Sequence, residues 1–207
     1  MGRITVTRMN IESLTLETPD PTTVKAFHAA LGVDEHISAR DTDAPTTGFR
    51  GYTLSLVVSQ PNIVDAYVGA ALENGGTAIK PVKKSLWGYG GVVQGPDGTL
   101  WKVATSSKKN TGPSTRHIED LVLLLGVEDV KISKQFYLDH GLEVTRSFGR
   151  KYVEFATGPN VKLALYGRRA LAKDAGVSPD GTGAHRIVIS SDAEPFTDPD
   201  GFTWQTV

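Results

Sequence analysis

The chain has 207 residues, of which 39% are hydrophobic and 22% are charged, and its formal net charge is -1, as in ordinary globular proteins. The balanced charge and the lack of a basic stripe argue against nucleic acid as a partner, and the absence of cysteine excludes disulfides, thiolate metal sites and cysteine nucleophiles. No apolar stretch approaches the ~20 residues of a membrane span, and the N-terminal MGRITVTRMN has no apolar signal-peptide run, so we expect a cytoplasmic protein without membrane partners.

The first half of the chain predicts a strand and a helix, and then a strand, a helix and three further strands. Residues 11–16 alternate as in a strand, and Asp20 and Pro21 supply the N-cap and the first residue of a helix that stops at Gly32. A strand is predicted at residues 52–58, and apolar residues at helical spacing predict an amphipathic helix over 64–72. The three further strands are predicted at residues 77–82, 89–94 and 99–104.

The second half repeats the strand and the capped helix. A polar linker at residues 106–114 (SSKKNTGPS) separates the two halves, which we place at 1–105 and 115–207. A strand is predicted at 121–125, and Asp129 caps a helix that ends at Gly141. The elements that follow are strands at 143–148, 151–156, 161–166 and 186–190 and a short helix at 169–175. His28 and His140 fall on the predicted helices, and we expect both to face solvent.

A Pro-Asp-Gly turn followed by tryptophan occurs twice, in GPDGTLWKV and DPDGFTWQTV, which closes the chain. A repeat of this kind indicates two related halves. The halves are nevertheless unequal, because the first lacks most of the strand material at 141–166 and the second lacks the helix and strand at 61–82. We expect Trp101 and Trp204 to pack towards the helices, since side chains alternate along a strand.

This ordered set of elements, seen twice, resembles the vicinal-oxygen-chelate superfamily of glyoxalases, bleomycin-resistance proteins and extradiol dioxygenases. The segments FRGYTLS, WGYGGVVQGPDGTLWKV and LALYGRRALAKDAGVSPDGTGAHRIVIS carry the resemblance, which covers most of the chain. It implies an α+β fold of two βαβββ modules, at residues 1–105 and 115–207. Their curved mixed sheets would form an open cup-shaped barrel, with each module partly trimmed.

The resemblance also implies the positions from which a metal would be bound: the first strand, the first strand of the second half-module, and the last strand. These positions fall at Ser13, Thr53 and Lys102 in the first half and at Val122, Ala184 or His185, and Gln205 in the second. Divalent metals need imidazole nitrogen and carboxylate oxygen, and an ammonium group repels them. We therefore expect no metal site and no cofactor.

Several side chains remain that could line or rim such a cup. The candidates for ligand binding are Arg50, Tyr52, Trp87, Tyr89, Lys102, His185 and Gln205. Aromatic rings can stack on a flat ligand, and Lys102 can pair with a ligand carboxylate.

We therefore favour a metal-free protein that sequesters a small flat or aromatic molecule, in the manner of the bleomycin-resistance branch. A metal-dependent lyase, isomerase or dioxygenase of the glyoxalase type is one alternative. A metal-free enzyme with His185 as general base is a second, and a degenerate interaction module is a third. A homodimer stays open as the assembly state.

Overall fold

A computed structural model describes residues 9–207, so the first eight residues, which carry most of the segment inspected for a signal peptide, lie outside the description. The helices are α1 (Pro21–Leu31), α2 (Pro61–Glu73), α3 (Val130–Asp139) and α4 (Arg168–Ala175). The strands are β1 (Ile11–Thr18), β2 (Ile37–Asp41), β3 (Thr46–Gly48), β4 (Tyr52–Val57), β5 (Thr77–Ser85), β6 (Gly88–Gln94), β7 (Leu100–Thr105), β8 (Asp120–Val127), β9 (Glu143–Phe148), β10 (Tyr152–Ala156), β11 (Lys162–Gly167), β12 (Gly181–Gly183), β13 (Ile187–Ser191), β14 (Phe196–Thr197) and β15 (Thr203–Thr206). None of the helices in this part of the chain has the length and hydropathy needed to cross a membrane.

The helix boundaries follow the predicted capping signals. The Asp20 carboxylate accepts the main-chain N–H of Thr23 at 3.1 Å, and Asp129 accepts that of Lys131 at 2.8 Å. Gly32 adopts the left-handed conformation that ends α1, with φ of 65°. The caps therefore confirm both predicted helix starts.

An eight-stranded sheet, called the large sheet below, has the order β5-β6-β7-β4-β8-β11-β10-β9. It contains two complete βαβββ units, one running from β4 to β7 and the other from β8 to β11. In each unit the first strand lies parallel to the last, and the two first strands β4 and β8 join the units as an antiparallel pair. The large sheet therefore combines one unit from each half of the chain.

A five-stranded sheet, called the small sheet, has the order β14-β15-β13-β1-β2 and holds the two trimmed units. After α1 the chain returns directly in β2, parallel to β1, without an intervening hairpin. In the second half β15 lies parallel to β13, and no helix separates them. Both predicted deletions are thus present, and β3 and β12 form a separate two-stranded ribbon.

Both sheets turn one face towards a single apolar core that includes residues of α1, α2 and α3. On the large sheet this helix side carries Leu54, Leu56 and Trp101, each 0% exposed, and on the small sheet it carries Trp204, which is 1% exposed. The predicted orientation of both tryptophans is confirmed. The opposite face of the large sheet is the inside of the cup.

The prediction for His28 is wrong, because its side chain is 1% exposed and faces the core. The buried residues of α1 are Val24, Phe27, His28 and Leu31, which form one stripe at i, i+3, i+4 and i+7. The position on the helix, rather than the polarity of the residue, decides its burial. His140 is exposed, as predicted, and stacks on Phe136 with 4.0 Å between ring centroids.

The two Pro-Asp-Gly turns have the same geometry. Gly98 and Gly201 both have φ of 90°, a conformation that favours glycine. The N–H of Gly98 donates to the carbonyl of Gly95 at 2.9 Å, and that of Gly201 donates to the carbonyl of Asp198 at 3.0 Å. The repeat is therefore structural, since each turn directs the chain into the last strand of its half.

Candidate functional site

The four central strands of the large sheet place one residue each in a single row, called the ligand row below. Ser55 of β4 pairs in register with Lys102 of β7 and with Val122 of β8, and Val122 pairs with Lys162 of β11. The sequence placed Lys102 and Val122 at metal-ligand positions, and the register puts them on the same side of the sheet. Thr53 lies two residues before Ser55 and therefore on the same face.

The ligand row does not fit a divalent metal. Lys102 Nζ lies 2.5 Å from an Asp174 carboxylate oxygen, and Lys162 Nζ lies 2.6 Å from an Asp120 carboxylate oxygen. Two paired ammonium groups, a valine and a serine hydroxyl offer neither imidazole nor free carboxylate to a metal. No group of three or more His, Cys, Asp or Glu side chains that could hold a metal ion occurs within residues 9–207.

The corresponding row of the small sheet contains Ser13, Ser190 and Gln205. Ser190 pairs in register with both of the others, and the Gln205 amide donates to the Ser190 hydroxyl at 2.9 Å. The residue between Ser13 and Gln205 is therefore Ser190, rather than Ala184 or His185. This row is also without imidazole or carboxylate.

His185 lies outside both rows and connects the two halves. Its Nδ1 is 2.6 Å from the carbonyl oxygen of Arg50, and its Nε2 is 3.1 Å from that of Asp200 in the second turn. The ring stacks on Phe202 with 4.0 Å between centroids. These contacts use both ring nitrogens for main-chain groups, which indicates a structural role.

Helix α4 fills the centre of the cup. It packs on β4, β8 and β11, and its buried residues Leu171, Ala172 and Ala175 form a second apolar cluster with Phe49 and Leu100. This cluster lies on the cup side, because Leu100 alternates with the core residue Trp101 along β7. Two clefts lie near the C-terminal end of α4, and Asp174 lines one of them while Val177 lines the other.

The smaller cleft has a volume of about 240 Å³ and is lined by Arg50 and Tyr52, among others. The Arg50 guanidinium is paired with the carboxylate of Asp97 at 3.5 Å and is only 10% exposed. Tyr52 is 2% exposed, and its hydroxyl lies 3.1 Å from that of Thr99. Burial raises the pKa of Tyr52 to about 12. Both side chains are therefore already engaged within the protein.

The larger cleft has a volume of about 380 Å³ and is called the hairpin cleft, because the β5–β6 hairpin forms one wall. Strand β7 and the last turn of α4 form the others. The charged side chains that line it are Lys80, Lys83, Lys102 and Asp174. Trp87, at the tip of the hairpin, also lines it and is 85% exposed.

Tyr89 also belongs to the lining of the hairpin cleft, but its side chain has a partner elsewhere. Its hydroxyl donates to Asp65 of α2 at 2.8 Å, and this hydrogen bond raises the pKa of the phenol. Since α2 packs on the helix side, the ring of Tyr89 points away from the cup.

The seven predicted ligand-binding residues thus divide among four places. Trp87 and Lys102 both line the hairpin cleft, and Tyr89 lines it without directing its ring into it. Arg50 and Tyr52 meet at the smaller cleft, His185 lies between the turns, and Gln205 lies on the small sheet. Lys80, Lys83 and Asp174 also line the hairpin cleft and were not among the predicted ligand-binding residues. The sequence offered one signal for Asp174, because this residue lies in the last turn of the short helix predicted at 169–175.

No protein-family model matches the sequence, and no curated protein matches it significantly. Among solved structures, glyoxalase I from Zea mays aligns with a TM-score of 0.61 and 12% identity, over 96% of this chain and 92% of that chain. A putative dioxygenase from Bacillus subtilis subsp. subtilis str. 168 aligns with a TM-score of 0.60 and 12% identity, over 96% of this chain and 84% of that chain. Identities this low speak for the fold alone. The chain therefore has the fold of the vicinal-oxygen-chelate superfamily.

Proposed function

We propose that this protein binds a small flat molecule in the hairpin cleft and does so without a metal ion held by the protein. The observation that carries the proposal is an open cleft of about 380 Å³ with an exposed indole, that of Trp87, at its rim. Ligand sites commonly have volumes of ~300–1,000 Å³ and combine apolar walls with a few polar anchors. An aromatic ring left largely in water has most of its stacking surface free for a ligand.

The fold neighbours favour a second function, metal-dependent chemistry of the glyoxalase type, by analogy of fold alone. The ligand row argues against it, because Lys102 and Lys162 stand where carboxylate ligands would be needed. Elemental analysis of protein purified without chelators tests this alternative. We expect far less than one iron, nickel, zinc or manganese per chain, and a stoichiometric metal would replace our proposal with the enzyme.

A panel of flat aromatic probes tests the binding proposal directly. We would add 2-naphthol, 2-naphthamide, 2-naphthoate and indole to the purified protein and follow its thermal unfolding. A ligand at ~100 times its Kd adds about 2.7 kcal/mol of stability, which raises Tm by roughly 5–10 °C for a chain of this size. We expect at least one probe to produce such a shift.

Two variants locate the binding site. Trp87→Ala should abolish the shift, and Trp87→Phe, which keeps an aromatic face, should retain most of it. Because Trp87 is 85% exposed, neither change should alter the stability of the ligand-free protein by much. The proposal is contradicted if no probe raises Tm, or if Trp87→Ala binds as well as the parent.

A further inference from the structure

The hairpin cleft carries an excess of positive charge. Three lysines and one aspartate line it, so two positive charges are left over. The ammonium of Lys83 has neither an ion pair nor a hydrogen bond among the described residues, and that of Lys80 donates to the main-chain carbonyl of Asp174 at 2.8 Å. Lys80 and Lys102 lie on the same face of the sheet, because each pairs in register with Val92. The cleft therefore favours an anion.

The Asp174 carboxylate already occupies the place that such an anion would take. Its oxygen lies 2.5 Å from Lys102 Nζ, and the two side chains are 40% and 36% exposed. Ion pairs this accessible to water contribute roughly 0–1 kcal/mol, so exchanging one carboxylate for another costs little. The contact also shows that the ammonium of Lys102 can be reached by a carboxylate from the cup side.

An unpaired hydroxyl lies next to this position. Ser55 pairs in register with Lys102 on the same face, is 6% exposed, and its Oγ makes no hydrogen bond within the described part of the chain. A buried hydroxyl without a partner costs about 1–3 kcal/mol. Ser55 is not among the residues that line the hairpin cleft, so the anion contact is assigned to Lys102 alone.

Strand β6 contributes three glycines to the hairpin wall of the cleft, whereas β5 contributes the lysines. Gly88, Gly90 and Gly91 lie in β6, and a Cβ atom on Gly90 would come within 2.7 Å of the carbonyl oxygen of Val103. The hairpin backbone therefore lies directly against β7 and presents no side chains at these positions. This stretch of bare backbone beside the Trp87 indole suits a planar ring.

We infer that the ligand of the hairpin cleft is a flat organic anion, whose anionic group takes the place of Asp174 at Lys102 while its ring lies against Trp87. This inference rests on the proposed function and adds the charge of the ligand to it. The ligand displaces a side chain of the protein's own helix α4. Its affinity is therefore set partly by competition with Asp174.

The test compares two probes of nearly equal shape, 2-naphthoate and 2-naphthamide, of which the first alone is charged. Binding is followed by tryptophan fluorescence, because Trp87 is the exposed one of the three tryptophans, and Trp101 and Trp204 are buried. We expect naphthoate to bind at least about tenfold more tightly than naphthamide and to bind more weakly as salt is added.

Three variants test the assigned contacts. Lys102→Met should weaken naphthoate binding by about tenfold or more, and Asp174→Asn should strengthen it by roughly threefold or more, since the competing charge is gone. Lys162→Met is the matched control. It removes a lysine from the same row, paired with Asp120 at 2.6 Å and 37% exposed, but lying outside the hairpin cleft. It should leave the affinity unchanged.

The possible failures are distinguishable. If both probes bind equally and Asp174→Asn has no effect, the anion inference is overturned while the binding function stands. If Lys162→Met weakens binding as much as Lys102→Met, the attraction is a general one of the surface charge, and the assigned site is wrong. If neither probe, nor any member of the wider panel, binds, the proposed function itself fails.

Discussion

Replacing His28 by leucine should reduce the loss of stability between about pH 7.5 and about pH 5.5. His28 is 1% exposed, and neither ring nitrogen makes a hydrogen bond of normal geometry within the described part of the chain. Burial lowers the pKa of the imidazole below the ordinary 6.5, and the charges of Asp97 and Asp34 and the main chain of Ile37 oppose this only partly. The folded protein therefore holds His28 neutral at a pH where the unfolded chain protonates it.

The sign and the size of the effect follow from linkage. The unfolded chain binds the extra proton, so stability is fully present above pH 6.5 and is lost as the pH falls towards the lowered pKa. A side chain that stays neutral in the folded state contributes a loss of about 1.4 kcal/mol between about pH 7.5 and about pH 5.5. His28→Leu should remove up to this amount. At the higher pH it should leave stability unchanged or raise it by about 1 kcal/mol, because two unpaired polar atoms are lost.

Urea unfolding at both pH values measures the effect as a difference between parent and variant. Asp198, whose pKa burial raises, contributes to the pH dependence of both proteins and cancels in this difference. His117→Gln is the control, since His117 is exposed, and it should unfold like the parent. The reasoning is refuted if His28→Leu loses as much stability as the parent between the two pH values.

Three further predictions concern packing and turns, and urea unfolding checks each of them. Leu171→Ala should cost about 2–4 kcal/mol, because Leu171 is 1% exposed in the cluster that holds α4; a loss below 1 kcal/mol would show that α4 is loosely seated. Gly201→Ala should cost roughly 1–2 kcal/mol through its φ of 90°, whereas Gly69→Ala in α2, where a Cβ meets nothing within 4 Å, should stabilise by about 0.5–1 kcal/mol. Tyr137→Phe should cost about 1.5–3 kcal/mol, because the phenol donates at 2.6 Å to the buried Asp198 carboxylate; a neutral result would contradict a contribution from this hydrogen bond.

Elements with strong local signals could be predicted from the sequence. Asp20 and Asp129 mark the starts of α1 and α3, and the residues that cap a helix are adjacent to it in the chain. The trimmed units could also be recognised, because the duplicated turn fixes the ends of both halves. Strand β2 was missed, since ISARD has only five residues and includes alanine and aspartate, which are depleted in strands. It becomes a strand by pairing with β1, 23 residues earlier in register.

The docking of α4 could not be predicted from the same signals. The pattern of an amphipathic helix indicates that one face is buried, but it does not indicate which surface covers that face. Leu171 packs in one cluster with Phe49 and Leu100, which lie in distant parts of the chain. The pairing of Asp174 with Lys102 spans 72 residues in the same way. Contacts of this range depend on the whole arrangement of the sheets. The predicted open cup is therefore filled at its centre.

Lys102 lies in a sheet row where the resemblance placed it, whereas His185 does not, and the difference has one explanation. Lys102 lies four residues after the glycine of a tight turn and inside a regular strand. Because side chains alternate between the two faces of a strand, its position in the sequence is enough to assign its face. His185 lies outside any strand, between the ribbon strand β12 and β13, and next to Arg186, whose φ of 55° interrupts the strand pattern. The number of residues to the nearest strand therefore does not determine the sheet face on which the His185 side chain lies.

The residue at position 102 is positively charged where the resemblance leads one to expect a negatively charged metal ligand. The resemblance leads one to expect a carboxylate on the last strand, facing a metal. Here the strand carries the ammonium of Lys102, and the carboxylate comes from Asp174 on α4, which occupies the cup. The ammonium of Lys102 thus pairs with the carboxylate of α4, and in our proposal an anionic ligand competes for the same ammonium. In our proposal, lysine at this position disfavours a divalent metal and favours an anionic ligand by the same Coulombic preference.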